Sequence, residues 1–269
     1  LWVGISFVKF LSALWDIPVL PVNHMEGHIS SVLLANTPIT FPALSLLISG
    51  GHTELVSIAE WGSYTVIGKT RDDAVGEAYD KVARILGLPY PGGPAISAHA
   101  QNLRDKHSAS DIKQMLVTHH IALPRPMIHS HSNDFSFSGL KTAVLYLVRD
   151  LEKKSPLSEE IRELVCYEFE EAVTEVLKAK LTYAYEENRS TQTLIVAGGV
   201  IANAYIRGAI QEWCILHDVM CFLPDANLAT DNAVMIGLTG VQALIRGVKP
   251  LSTLDSLIAR GGWEIDDVY

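Results

Sequence analysis

The sequence predicts an α/β fold. Residues 43–48 and 193–197 are two almost continuous apolar runs, each stopping at a Gly-Gly pair, and amphipathic helical patterns lie between them. Such runs read as strands buried on both faces of a sheet. With 269 residues, 48% of them hydrophobic and 19% charged, the composition is that of a folded chain able to bury one large or two medium cores.

Each element then follows in order. Val3, Phe7, Phe10, Leu11 and Leu14 recur at helical spacing until Asp16 and Pro18 end the first helix near Trp15. Residues 19–22 are expected to form a short buried strand leading into a second helix from His24 to about Leu34. A turn is expected at 36–42. After the 43–48 strand, Ser49-Gly50-Gly51-His52-Thr53 forms a hairpin tip before a strand at 54–59, and a third strand follows at 64–68. Arg71, Asp72 and Asp73 stand at the start of a helix reaching Leu86, with Ala74, Ala78, Val82 and Ile85 facing inward. Gly87 and Pro89 end it, and Tyr90-Pro91-Gly92-Gly93-Pro94 makes a second glycine turn. Residues 101–120 turn polar and are expected to be a peripheral helical insertion. Residues 133–141 lead into a helix ending near Glu152, and Ser158 caps a long helix whose stripe includes Ile161, Leu164, Val165, Ala172 and Val176. The 193–197 strand passes through Gly198 and Gly199 to a helix starting near Asn203. A strand at 219–223 and a loop at 224–230 precede the apolar helix 232–244, with Asp231 at its head.

Several function classes are disfavoured. A net charge of −9 argues against a broad basic face that grips nucleic acid, while leaving room for a local patch or a basic partner. Cys166, Cys214 and Cys221 are odd in number and lack metal-type spacing, so they read as small core residues. No apolar run is long enough to span a bilayer and no export signal opens the chain, so the expected compartment is the cytoplasm. The chain opens on Leu1 directly in a helical pattern, which suits a piece of a longer protein.

The chemistry concentrates at His24-Met25-Glu26-Gly27-His28. Imidazoles four residues apart share one helix face and fit two ligand positions of a divalent metal; the competing reading is a pair of ordinary surface or capping histidines. Glu26 lies two residues, or roughly 200° of helical rotation, from His24, unlike the glutamate of helical zinc peptidases. That placement counts against a metallopeptidase. Glycine turns let backbone amides approach an anionic group, and a carboxylate such as Asp80 beside one suits a ribose hydroxyl. Asp231 read alone is a helix N-cap.

Taken together, the 24–28, 49–53, 72–80 and 90–94 segments, Phe135-Ser136-Phe137-Ser138-Gly139-Leu140-Lys141, Ala197-Gly198-Gly199-Val200 and Thr230-Asp231-Asn232 resemble the universal tRNA N6-adenosine threonylcarbamoyltransferase family, in order and spacing along almost the whole chain. The resemblance implies the two-lobed actin-like ATPase fold shared with sugar kinases and Hsp70. It implies transfer of a threonylcarbamoyl group from threonylcarbamoyl-AMP to the N6 amine of the adenosine 3′ of the anticodon in tRNAs reading ANN codons. By matching positions, His24, His28 and Asp231 are implied to hold one divalent metal, iron or zinc. Leu47, Ile48, Ser49, Gly50, Gly51, Asp80, Gly93 and Asn203 are implied to bind the adenylate. An inactive paralogue and a small ATPase are the implied protein partners. No general base is assigned; Glu26 and Asp72 are the carboxylates considered. Family members begin with a strand carrying a Gly-Ile-Glu-Ser-Cys-like segment that this sequence lacks, so the first lobe is expected to be incomplete and the activity of this chain reduced. The expected division is 1–96 for the remainder of the first lobe, 97–228 for the second lobe and 229–269 for a C-terminal helix and tail carrying a metal ligand. A non-catalytic scaffold subunit and a kinase or ATPase of the same fold are the other readings.

Overall fold

The computed structural model describes residues 1–34, 38–153, 155–225 and 228–267. Its centre is β1 (Ala43–Ile48), whose six residues are all buried. β2 (Thr53–Glu60) pairs antiparallel with β1, and β3 (Ser63–Lys69) pairs antiparallel with β2. On the other side β4 (Thr193–Ala197) runs parallel to β1, Ala43 opposite Thr193, and β5 (Met220–Phe222) runs parallel to β4. The order is β3-β2-β1-β4-β5. A central strand presents apolar side chains to both faces, which is why 43–48 and 193–197 lack the alternation of a half-exposed strand.

Alternate residues of these strands serve two cores. Leu44, Leu46, Ile48, Leu194 and Val196 meet α3 (Val75–Ile85), α4 (Gly92–Lys106), α6 (Ser138–Glu152), α7 (Glu159–Glu187) and α8 (Ala204–His217) on one face. Ala43, Leu47, Ile195 and Ala197 meet Met25 and Ile29 of α2 (His24–Ser30) on the other. α9 (Ala233–Ile245) packs against α2. α1 (Trp2–Trp15) is apolar around its circumference and buries none of its residues.

The expected boundary at 96/97 falls within α4, and the sheet draws strands from both sides of it. β1 and β4, from opposite sides of that boundary, are hydrogen-bonded neighbours in one sheet, and α4 runs across it unbroken. The reason is that a strand buried on both faces needs partners on both edges, and β4 is the partner sequence distance conceals. Residues 101–120 are mostly helical as expected, within α4 and α5 (Ala109–Thr118), yet not peripheral: Leu103 and Ile112 are buried and α4 packs along α7. Residues 19–22 form no strand; the Val19 carbonyl accepts the Leu251 amide at 2.8 Å instead. α2 ends at Ser30 and continues as a 3-10 turn to Leu34. Asn36 and Thr37 of the expected turn, and Ala226 and Asn227 of the expected loop, lie outside the described residues. Among the described residues no helix is long and apolar enough to cross a membrane.

Candidate metal centre and nucleotide cavity

Two elements bring the candidate ligands together. Asn23 caps α2, its Oδ1 accepting the amides of Met25 and Glu26 at 2.8 and 3.2 Å, while its Nδ2 donates to the Trp263 and Glu264 carbonyls. Met25 and Ile29 bury against the sheet, and His24 and His28, four residues apart, come to share one face. At the head of α9 the cap is Asn232, whose Oδ1 accepts the Met235 amide at 2.9 Å. Asp231 is therefore not the capping side chain. Its Oδ1 lies 3.2 Å from His28 Nε2 and 3.4 Å from His24 Nε2.

The donor set and its spacing fit a divalent cation. One ligand atom from each of His24, His28 and Asp231 lies within 4.8 Å of the others. Donors about 2.1 Å from a tetrahedral ion stand roughly 3.4 Å apart, and two imidazoles with one carboxylate suit zinc or iron. Burial first, and the neighbouring His24 next, lower the pKa of His28 against the opposing pull of Asp231. A depressed value keeps this imidazole neutral at physiological pH, the form that binds metal.

The ends of the parallel strands form the second half of the site. β1 and β4 finish side by side at Ser49-Gly50 and Gly198-Gly199, at the carboxyl edge where α/β sheets bind ligands. Gly198 has φ +100°, and a Cβ there would stand 2.4 Å from the Ile48 carbonyl oxygen, so only glycine permits this approach. A cavity of about 500 Å³ opens beyond these turns, walled by Gly50, Gly76, Gly93, Asp80, Gly199 and Asn203 among others. Asp80 Oδ1 accepts the Gly92 amide at 2.7 Å, closing the second glycine turn onto α3. A Cβ on Gly92 would lie 2.7 Å from Asp80 Cα and from the Tyr79 carbonyl oxygen, so this closure also requires glycine.

Of the residues implied to bind the adenylate, Gly50, Asp80, Gly93 and Asn203 wall the cavity; Leu47, Ile48, Ser49 and Gly51 do not. Leu47 and Ile48 are fully buried in β1, one in each core. Ser49 stiffens the hairpin tip, its Oγ accepting the amides of Gly51 and His52 at 3.3 and 3.0 Å. Asn203 caps α8 through Oδ1, which accepts the Ile206 amide, and donates from Nδ2 to Glu170 Oε1 at 2.6 Å. The cavity wall and the metal centre approach each other through Gly199 and the hairpin tip. A Cβ on Gly199 would stand 3.8 Å from Thr230 Cγ2, next to Asp231, and His52 at the hairpin tip is near enough to His28 to help lower its pKa.

Neither carboxylate considered as a base is free for the task. Glu26 is fully buried, its Oε1 accepting from Tyr64 at 2.9 Å and Arg246 at 2.8 Å. This also removes the water-activating glutamate that a metallopeptidase needs. Asp72 accepts from Ser136 Oγ, Ser138 Oγ and the amides of Phe137 and Ser138. The 135–141 segment is thus structural: its two phenylalanines are fully buried and its serines clasp Asp72. Sequence reasoning missed Ser97, Gln101 and Tyr205 as cavity residues. The spacing of Gly93, Ser97 and Gln101 by four residues along one helix was the available signal, obscured by reading Gln101 as the start of an insertion.

A family model, TsaD: tRNA N6-adenosine threonylcarbamoyltransferase, matches residues 1–238. The chain belongs to this transferase family. A tRNA N6-adenosine threonylcarbamoyltransferase of Chromobacterium violaceum is 44% identical over 245 residues, covering 91% of this chain and 68% of that protein. Counterparts in Staphylococcus aureus and Nitrosospira multiformis are 42% and 40% identical, covering 89% and 99% of this chain and 65% and 73% of theirs. The chain thus spans about two thirds of the length of these relatives. A solved structure, full-length HypF in its phosphate- and nucleotide-bound form, shares the fold at a TM-score of 0.52 with 12% identity, over 89% of this chain and 38% of HypF. The fold is accordingly the actin-like ATPase fold of the transferase family, of which the described residues build one mixed sheet.

Proposed function

We propose that this chain transfers a threonylcarbamoyl group from threonylcarbamoyl-AMP to the N6 amine of the adenosine 3′ of the anticodon in tRNAs reading ANN codons, with iron or zinc held by His24, His28 and Asp231. The observation that carries this reading is a three-ligand cluster whose Asp231 follows Thr230, the neighbour of Gly199, itself part of a glycine-walled cavity of about 500 Å³, a volume suited to a nucleotide. In the reaction the N6 nitrogen attacks the carbamoyl carbon, the carbon–oxygen bond to phosphate breaks, AMP departs and the amine loses one proton. His24, His28 and Asp231 would hold the cation, which when bound would supply Lewis-acid polarisation of the transferred group. The protein's own residues do the rest. Gly50 and Gly199 let the backbone approach the phosphate, Asp80 holds the Gly92 turn with one oxygen and offers the other to a ribose hydroxyl, and the capped Asn203 presents a remaining N–H. Holding the reacting atoms together is the main catalytic device, since no side chain here is required as a covalent nucleophile.

The family resemblance extends the proposal to an inactive paralogue and a small ATPase as partners, and to the cytoplasm as the compartment where tRNA is met. A chain of net charge −9 acting on tRNA benefits from a partner's basic surface. The test is transfer of labelled threonylcarbamoyl from the adenylate to unmodified tRNA with partner proteins supplied, beside a His24→Ala, His28→Ala variant whose metal content is measured. Transfer by the native chain, with loss of both metal and transfer in the variant, is expected. A variant that retains full transfer after losing its metal overturns the role of the cluster.

A further inference from the structure

The cavity has two chemically different ends. At one end stand Gly50, Gly199 and, beyond them, the histidine pair. At the other, Asn203 and Tyr205 at the head of α8 face Ser97 and Gln101 of α4, about 12 Å of helical rise separating Gly93 from Gln101. Arg104, one turn beyond Gln101, lies outside the cavity wall behind Tyr205, with its guanidinium carbon 3.6 Å from that ring's centroid and 4.7 Å from the Tyr167 centroid. Two carboxylates fix it there: Nη1 donates to Glu170 Oε2 at 2.6 Å and Nη2 to Glu171 Oε1 at 3.0 Å. Glu170 is fully buried and its other oxygen accepts from Asn203 Nδ2. Glu171 also hydrogen-bonds the Tyr205 hydroxyl.

Tyr205, a residue of the cavity wall, is therefore held on one face and at its hydroxyl. A stacking surface fixed in advance loses little freedom when a ligand arrives. The charge at this end excludes the other possibility, a phosphate subsite. Glu170 and Glu171 outnumber Arg104, which donates to both of them, so a phosphate would meet net negative charge here. The uncharged, flat part of a nucleotide suits this end and the phosphate suits the glycine end.

We propose that Tyr205 is the nucleobase-stacking wall of the cavity, positioned by Arg104 and Glu170. This rests on the nucleotide-binding reading above and adds the residue that selects for a base. Calorimetric titration of the chain with AMP and with ribose 5-phosphate, which lacks the base, tests it. Tyr205→Ala is expected to weaken AMP about tenfold, the scale of one lost base–aromatic stack, and to leave ribose 5-phosphate unchanged. Tyr205→Phe, which keeps the ring, is expected to stay within about twofold for both. Arg104→Met is expected to weaken AMP alone, by releasing the ring. Equal weakening of both ligands in Tyr205→Ala, or no change in either, overturns the proposal while leaving the cavity a nucleotide site. Failure of the native chain to bind AMP and ribose 5-phosphate alike overturns the nucleotide-binding reading together with it.

Discussion

The Glu26 carboxylate, buried between two candidate metal ligands, ties α2 to β3 through Tyr64 and to the end of α9 through Arg246. Burial, then the adjacent carboxylate, drives the Tyr64 phenol pKa well up, so the phenol stays a donor across the physiological range. Breaking a buried ion pair from one side is costly, and Glu26→Ala is expected to lose about 3–5 kcal/mol in denaturant unfolding, with Glu26→Gln milder because Tyr64 keeps an acceptor. Asp72 behaves differently. Burial works against its charge, but the hydrogen bonds from Ser136, Phe137 and Ser138 outweigh it and hold the carboxyl below the usual range. A depressed folded-state value means that the contribution is complete above the unfolded pKa and disappears as pH falls through the folded one. Thermal melts across the acid range should accordingly show a flatter acid limb in Asp72→Asn than in the native chain. An unchanged limb would assign acid loss to other carboxylates.

Helix ends, more than helix bodies, build the site. α2 begins at its first candidate ligand, α8 begins beside Asn203 and α9 begins just after Asp231. In each case an asparagine occupies the cap, satisfying amides that would otherwise lack partners and fixing the direction in which its neighbour leaves the helix. Asn232→Ala is thus expected to lower stability by about 1 kcal/mol and, by freeing the path of Asp231, to weaken zinc binding in competition with a chromophoric chelator. A variant with reduced stability and native zinc affinity would show the cap to be structural only. At the other end of the cavity, α4 carries Gly93, Ser97 and Gln101 toward the ligand while Ala100 and Leu103 bury behind it. One helix can do both because its faces differ by the 3.6-residue period.

Over the whole molecule the sheet separates two cores, and the candidate site sits at its edge, with the metal ligands carried by the elements of one face and most cavity residues by the other. α1 contributes to neither core and exposes Trp2, Phe7, Phe10 and Trp15, each about 60% accessible. Apolar surface of this kind promotes association. Phe7→Ser with Phe10→Ser is expected to reduce self-association in light scattering while changing the melting temperature little, since neither residue packs in a core.

Local patterns in the sequence were enough to identify the α/β class, the strands at 43–48 and 193–197, the Ser158 and Asn203 helix starts and the shared face of His24 and His28, because torsional preference and side-chain period act over a few residues. The family motifs, agreeing in order, named Asp231, Asp80, Gly93 and Asn203 as candidates; the last three line the cavity and Asp231 stands beside the histidine pair. What only tertiary structure decided was which distant groups meet. β1 pairs with β4 at a sequence separation of 150, Ala43 opposite Thr193, a juxtaposition that no local period encodes. Glu26 is buried because Tyr64 and Arg246 arrive from elsewhere, and Asp231 is released from capping because Asn232 takes that task. Tyr205 became a wall because Arg104 and two glutamates on α7 fixed its ring from behind. These are properties of packing, in which a residue's role is set by the partners that fold brings within a few ångströms of it.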